Sequence, residues 1–177
     1  SREQTDSLKY TLRPYEVNEK VKVHPHWVAD MDFPSCPVII NALTQAAQFG
    51  IYGYANAPKD IHKILSTYLS RQGWPMTEEH LKETLLFTPG VVTGVGIILS
   101  ALTNIGDAVI FHTPSYPHFF ESVGGIDRKV VNSTLEWVDG SWRINFEDFE
   151  EKIVNEQVKA FILCSPHNPT GRVWTQE

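Results

Sequence analysis

Between residues 84 and 164, short apolar runs rich in β-branched side chains alternate with longer stretches of helical spacing, and this alternation constrains the fold more than any other feature. The spacing predicts strands at residues 84–88, 108–112, 129–132 and 160–164, and helices at 91–102, 115–123 and 147–155. The strand runs lack an in-out pattern, as strands buried on both faces do. Strands separated by helices of this length form a parallel sheet covered by helices on both faces, so the expected class is α/β. Ligands of such sheets bind beyond the carboxyl ends of the strands. That rule singles out three loops rich in Gly, Pro, Ser and Thr: Thr88-Pro89-Gly90-Val91-Val92, Thr113-Pro114-Ser115-Tyr116-Pro117, and residues 165–171.

Ahead of the sheet the rhythm differs. Prolines at 14, 25, 34 and 37 interrupt residues 1–37, which read as an extended arm. Ile39, Ala42, Leu43, Ala46 and Ala47 then recur at helical spacing, and Gly50 is a fitting stop. An aromatic loop, Ile51-Tyr52-Gly53-Tyr54-Ala55, leads to Pro58, which opens a second helix that runs to Gly73. The chain thus divides into residues 1–50, an arm and helix, and residues 51–177, a sheet-forming region.

With 177 residues the chain is long enough for one well-buried domain. Its net charge of -6 is dispersed, with no basic stripe to neutralise the phosphates of a nucleic acid. The longest nearly apolar stretch, residues 90–102, falls short of the ~20 residues of a membrane helix. The first residues are polar and carry no signal-peptide core, so a cytoplasmic location is expected. Cys36 and Cys164 match no metal-ligand spacing and are expected as buried thiols. His24-Pro25-His26 lacks the i, i+4 spacing that puts two ligands on one helix face, so no metal site is expected.

Each loop carries a possible chemistry. The turn from Thr88 to Thr93 passes from a predicted strand into a predicted helix, whose first N–H groups form an anion cradle at the positive end of the dipole. Gly90 permits close approach of a phosphate and Thr93 offers a hydroxyl, although the same glycine also suits an ordinary turn. Neither a Walker loop nor a dinucleotide fingerprint is present. Tyr116, between two prolines, suits stacking on a flat ring and equally suits core packing. Asn168 lies in a loop stiffened by Pro166, Pro169 and Gly171, where its amide is able to donate to a phenolate oxygen or simply to form a turn.

In order and spacing, Trp27-Val28-Ala29-Asp30-Met31-Asp32-Phe33, Tyr52-Gly53-Tyr54, Pro89-Gly90-Val91-Val92-Thr93 and Ser165-Pro166-His167-Asn168-Pro169-Thr170-Gly171-Arg172 resemble the fold-type I pyridoxal-phosphate enzymes, aminotransferase class I and II. Within them the chain looks like the bacterial C-S lyase branch related to cystathionine β-lyase. The resemblance implies that residues 51–177 form the first half of the pyridoxal-phosphate-binding large domain, and that residues 1–50 contribute to the small domain. It implies that Gly90 and the N–H groups of Val91 and Val92 hold the cofactor phosphate. Tyr116 would stack on the pyridine ring, and Asn168 would bond its phenolic oxygen. Tyr54 would reach the phosphate in a neighbouring subunit, which makes a homodimer part of the site. Ala29 and Asp30 would lie beside the carboxylate of an amino-acid substrate. The implied reaction is β-elimination from a cysteine thioether, giving a thiol, pyruvate and ammonia; transamination is the alternative, and a non-catalytic fragment or binding homologue is a third.

The family's Schiff-base lysine, the acidic partner of its pyridinium nitrogen and its carboxylate-binding arginine come after the asparagine loop. None of Lys59, Lys63, Lys82, Lys129, Lys152 and Lys159 lies in a Ser-Lys context, so no catalytic residue is assigned. The expectation is an N-terminal fragment, inactive alone, of a protein about twice as long.

Overall fold

The computed structural model describes residues 5–11 and 24–175, in two compact units, Ser1–Lys59 and Asp60–Glu177. The first unit holds α1 (Leu8–Thr11) and α2 (Pro37–Phe49). Proline at the first helical position and Gly50 in the left-handed conformation at the other end frame α2. Most of the arm's middle lies outside the described residues. Its described ends are joined by Lys9, a buried lysine whose ammonium donates to the Asp30 carbonyl at 2.9 Å and to Asp32 Oδ2 at 3.1 Å. Trp27 Nε1 in turn donates to the Lys9 carbonyl at 3.2 Å.

The second unit begins with α3 (Ile61–Arg71), α4 (Glu78–Thr84) and α5 (Val91–Leu102). It continues with β1 (Ala108–Thr113), α6 (His118–Gly124), β2 (Lys129–Thr134), β3 (Glu136–Val138), β4 (Ser141–Arg143), α7 (Phe146–Asn155) and β5 (Ala160–Ile162). The main sheet has the order β2-β1-β5 and both pairings are parallel. β1 is central: Val109 and Ile110 are fully buried, which is why its sequence shows no alternation. On one face Val109 and Phe111 pack with Leu99 of α5 and Val123 of α6. On the other, Ala108, Ile110 and Val131 pack with Phe149 and Ile153 of α7. The α/β class, with helices on both faces of a parallel sheet, is as expected.

Three local expectations change. Residues 84–88 form no strand: α4 ends at Thr84 and the chain runs on unpaired, with Leu86 and Phe87 exposed. A strand exists through its ladder, and among the described residues no neighbour pairs with this segment. The preceding residues are helical because Thr77 Oγ1 accepts the His80 N–H at 3.1 Å and Glu78 and Glu79 suit the positive end of the helix. The helix expected from residue 115 begins at His118, leaving Ser115 and Tyr116 in the loop. The β3–β4 hairpin, unforeseen, turns at Asp139-Gly140 with both residues at positive φ, and pairs Trp137 with Trp142 at 5.2 Å between ring centroids.

Arg128 closes the crossover between α6 and β2. Its guanidinium donates to Thr103 Oγ1 at 2.9 Å, to the Thr103 carbonyl at 2.6 Å and to the Ile126 carbonyl at 2.5 Å. The two thiols are free, Cys36 exposed and Cys164 half-buried; neither is in the core as expected, since one precedes the exposed α2 and the other lies past the end of β5.

Candidate functional site

The sheet order explains why the loops converge. From β1 the chain moves outward to β2, then returns to place β5 on the opposite side of β1, so the strand order reverses between β1 and β5. The loops leaving these two strands diverge from the sheet at the reversal and open a crevice between them. One loop carries Tyr116 and the other Asn168. The first turn of α5 completes the crevice, a cleft of about 400 Å3 lined by Val91, Val92, Val95, Tyr116, Phe119, Cys164 and Asn168.

Just before Val91, Gly90 caps α5 with φ 118° and ψ 159°, a conformation that side-chain-bearing residues rarely adopt. An added Cβ there would meet nothing within 4 Å, so the space over the turn is open. The Gly90 N–H is turned back to the Thr88 carbonyl at 2.8 Å, and the Gly90 carbonyl accepts from Gly94 N–H at 3.0 Å to start the helix. The N–H groups of Val91, Val92 and Thr93 find no acceptor among the described residues. Three unmatched donors at the positive end of a 12-residue helix have the chemistry that an anion site requires. Close packing holds the turn in place, for a Cβ on Gly94 would lie 3.1 Å from Thr88 Oγ1.

The wall opposite Asn168 is Tyr116, half-buried and held edge-on by Phe119 at 5.7 Å and His118 at 4.9 Å between centroids. Phe119 is itself edge-on to the fully buried Phe111, so the tyrosine ring is tied to the core through one intermediate ring. Asn168 is exposed and lines the cleft, and among the described residues it makes no hydrogen bond that would occupy its amide. The residue before it, His167, is buried, which nothing in the local sequence signals; its Nε2 lies 2.8 Å from the Pro114 carbonyl.

Beneath the loops lies a second buried histidine, His112 at the end of β1, among the rings of Phe149, Phe161 and Trp174. Neither of its nitrogens makes a well-formed hydrogen bond. Burial, and then the neighbouring His167, hold its pKa below the ordinary value, only partly offset by the Ser133 backbone and by Asp148. Asp148 is held below the usual carboxylate range, mainly by its hydrogen bond from Lys152 and further by the Ser133 hydroxyl at 3.1 Å.

In the first unit, Ala29 is exposed and Asp30 is half-buried beside Lys9, 3.7 Å from the ammonium. Tyr54 is fully exposed. Among the described residues no group of His, Cys, Asp and Glu is arranged to hold a metal ion, and no helix is long and apolar enough to cross a membrane.

The family Aminotransferase class I and II matches residues 28–177. Cystathionine beta-lyase PatB of Bacillus subtilis strain 168 is 37% identical over 154 residues, which cover 86% of this chain and 39% of that protein. Protein MalY of Escherichia coli K12 is 31% identical over 85% of this chain and 38% of its own length. Among solved structures, a PLP-bound putative aminotransferase from Clostridium difficile 630 aligns with a TM-score of 0.80 at 34% identity, over 99% of this chain and 44% of that one. The PLP-bound C-S lyase from Staphylococcus hominis aligns with a TM-score of 0.78 at 29% identity, over 99% of this chain and 43% of that one. The chain spans about two fifths of the length of the curated relatives it matches.

Proposed function

Because the chain belongs to the aminotransferase class I and II family, we propose that it supplies the phosphate cradle and ring walls of a pyridoxal-phosphate-dependent C-S β-lyase that cleaves cysteine thioethers to a thiol, pyruvate and ammonia. The observation that carries this reading is the convergence of an unfilled helix N-terminus, an aromatic wall and a free carboxamide on one cleft. The names of its relative cystathionine beta-lyase PatB and of its structural neighbour, the PLP-bound C-S lyase from Staphylococcus hominis, support the lyase over other chemistries of the family.

The residues fit the cofactor. The N–H groups of Val91, Val92 and Thr93 match the acceptor oxygens of a phosphate, and the open space over Gly90 lets the group approach the backbone. Tyr116 presents a ring edge-locked from behind, leaving it to lie against a flat pyridine. The Asn168 amide donates to an ionised phenolic oxygen and so favours its ionised form. When bound, pyridoxal phosphate supplies an electron sink for loss of an α-proton and of a β-thiol. This chain's part is binding and orientation.

The substrate carboxylate is assigned to the neighbourhood of Ala29 and Asp30, where Lys9 grips the Asp30 carbonyl and so fixes the backbone on either side. Tyr54, wholly exposed, is assigned to the phosphate of a second copy, so that the active assembly is a homodimer. Two unpaired thiols accord with a reducing, cytoplasmic setting. The test is incubation of the protein at its full encoded length with pyridoxal phosphate and cystathionine. Pyruvate and free thiol without a keto-acid acceptor are the expected result. A strict requirement for a keto acid would make it an aminotransferase instead.

A further inference from the structure

The loops that carry Tyr116 and Asn168 leave different strands, yet among the described residues a single hydrogen bond joins them, from His167 to the Pro114 carbonyl at 2.8 Å. A carbonyl oxygen only accepts, so Nε2 carries a proton; the ring's other nitrogen is Nδ1. That Nδ1 is buried without a partner, a cost that an apolar side chain of similar size would avoid. The imidazole is therefore a poor choice for filling space and a good one for making a bond at one nitrogen.

The backbone of the same residue organises its own loop. The His167 N–H donates to the Arg172 carbonyl at 2.7 Å, and its carbonyl accepts from Gly171 N–H at 2.6 Å. The ring is further held edge-on to Trp174 at 5.6 Å, and Trp174 Nε1 donates to the Cys164 carbonyl at 2.8 Å. Asn168 is the next residue, and its backbone direction follows from these constraints.

We propose that His167 is a positioning residue: by tying the Asn168 loop to the Tyr116 loop it sets the reach of the Asn168 amide across the cleft, and so tunes the proton affinity of the phenolic oxygen of the bound ligand. The proposal rests on the pyridoxal-phosphate reading above. His167 is behind the wall of the cleft and does not line it.

The test uses the full-length holoenzyme, with His167→Phe, which fills the volume without donating, and His167→Gln, whose amide nitrogen reaches about as far as Nε2. The readouts are the pH midpoint of the cofactor's visible absorption band and the dissociation constant for pyridoxal phosphate. A misplaced Asn168 amide favours the ionised oxygen less, so His167→Phe raises the midpoint by about one pH unit, a tenfold change in proton affinity. It also weakens cofactor binding roughly tenfold, while His167→Gln restores both to within about twofold of wild type. A purely structural role would lower the melting temperature and leave the midpoint in place. His167→Asn, too short to reach Pro114, replaces the phenylalanine variant if that fails to fold, with the same expectation. An unmoved midpoint in the folded non-donor, or a glutamine variant displaced as far as it, overturns the proposal. A wild-type protein that takes up no pyridoxal phosphate overturns the cofactor reading itself, a different outcome from an unmoved midpoint.

Discussion

Replacing Gly90 with alanine should expose the energetic basis of the anion cradle. At φ 118° and ψ 159° an alanine is strained, yet its methyl group would meet nothing within 4 Å, so the whole penalty is conformational and none is steric. Such a backbone costs about 1–3 kcal/mol for a residue with a side chain. The penalty has two ways to appear. If the turn keeps its shape, apo stability falls by that amount and cofactor affinity holds. If the turn relaxes, stability recovers, but under the proposed phosphate assignment the N–H groups of Val91 and Val92 rotate away from the phosphate and affinity falls by about fivefold per kcal/mol. Urea unfolding of the apo protein and titration with pyridoxal phosphate, both at full encoded length, measure the two shares. Their sum should reach at least about 1 kcal/mol. Apo stability within about 0.5 kcal/mol of wild type together with affinity within about twofold would refute the assignment of strain to this turn.

The buried His112 makes a pH prediction whose sign follows from its depressed pKa. Just below pH 6.5 the unfolded chain binds a proton that the folded chain refuses, so stability is complete above that value and falls as the pH drops through it toward the lower folded pKa. His112→Leu should flatten that part of the melting-temperature profile, and a profile as steep as wild type would argue against the buried, unpaired ring. Phe111→Ala removes a nearly inaccessible ring that contacts Phe119 and Phe120 at 5.9 and 4.9 Å between centroids. A loss of about 3–5 kcal/mol is expected in chemical denaturation.

Much of the second unit was legible in the sequence because its signals are local. The helix of residues 91–102 and the beginning of each strand at 108, 129 and 160 are read directly from periodicity and β-branching, and the structure reproduces them. The rule that ligands sit at strand carboxyl ends points to the loops after β1 and β5, and the structure brings Tyr116 and Asn168 of those loops beside the first turn of α5, although no strand precedes that turn. The hairpin at Asp139-Gly140 and the cap at Thr77 also have local signals, an Asp-Gly turn and a Thr ahead of Glu78-Glu79.

What the sequence could not decide are relations between residues distant along the chain. Residues 84–88 have the composition of a strand, but pairing is a property of two segments, and among the described residues none is alongside. Lys9 looked like an ordinary arm lysine; only the folded first unit buries it against Asp30 and Asp32, 21 and 23 residues on. His167 looked like a neighbour of the important asparagine, and became the link between two loops only because β5 returns beside β1. Local composition thus determines which residues are able to bind a phosphate or a flat ring. The reversal of strand order, a tertiary fact, decides that Val91, Tyr116 and Asn168 share one cleft, because hydrogen-bonded strand pairing brings together what is 77 residues apart in sequence.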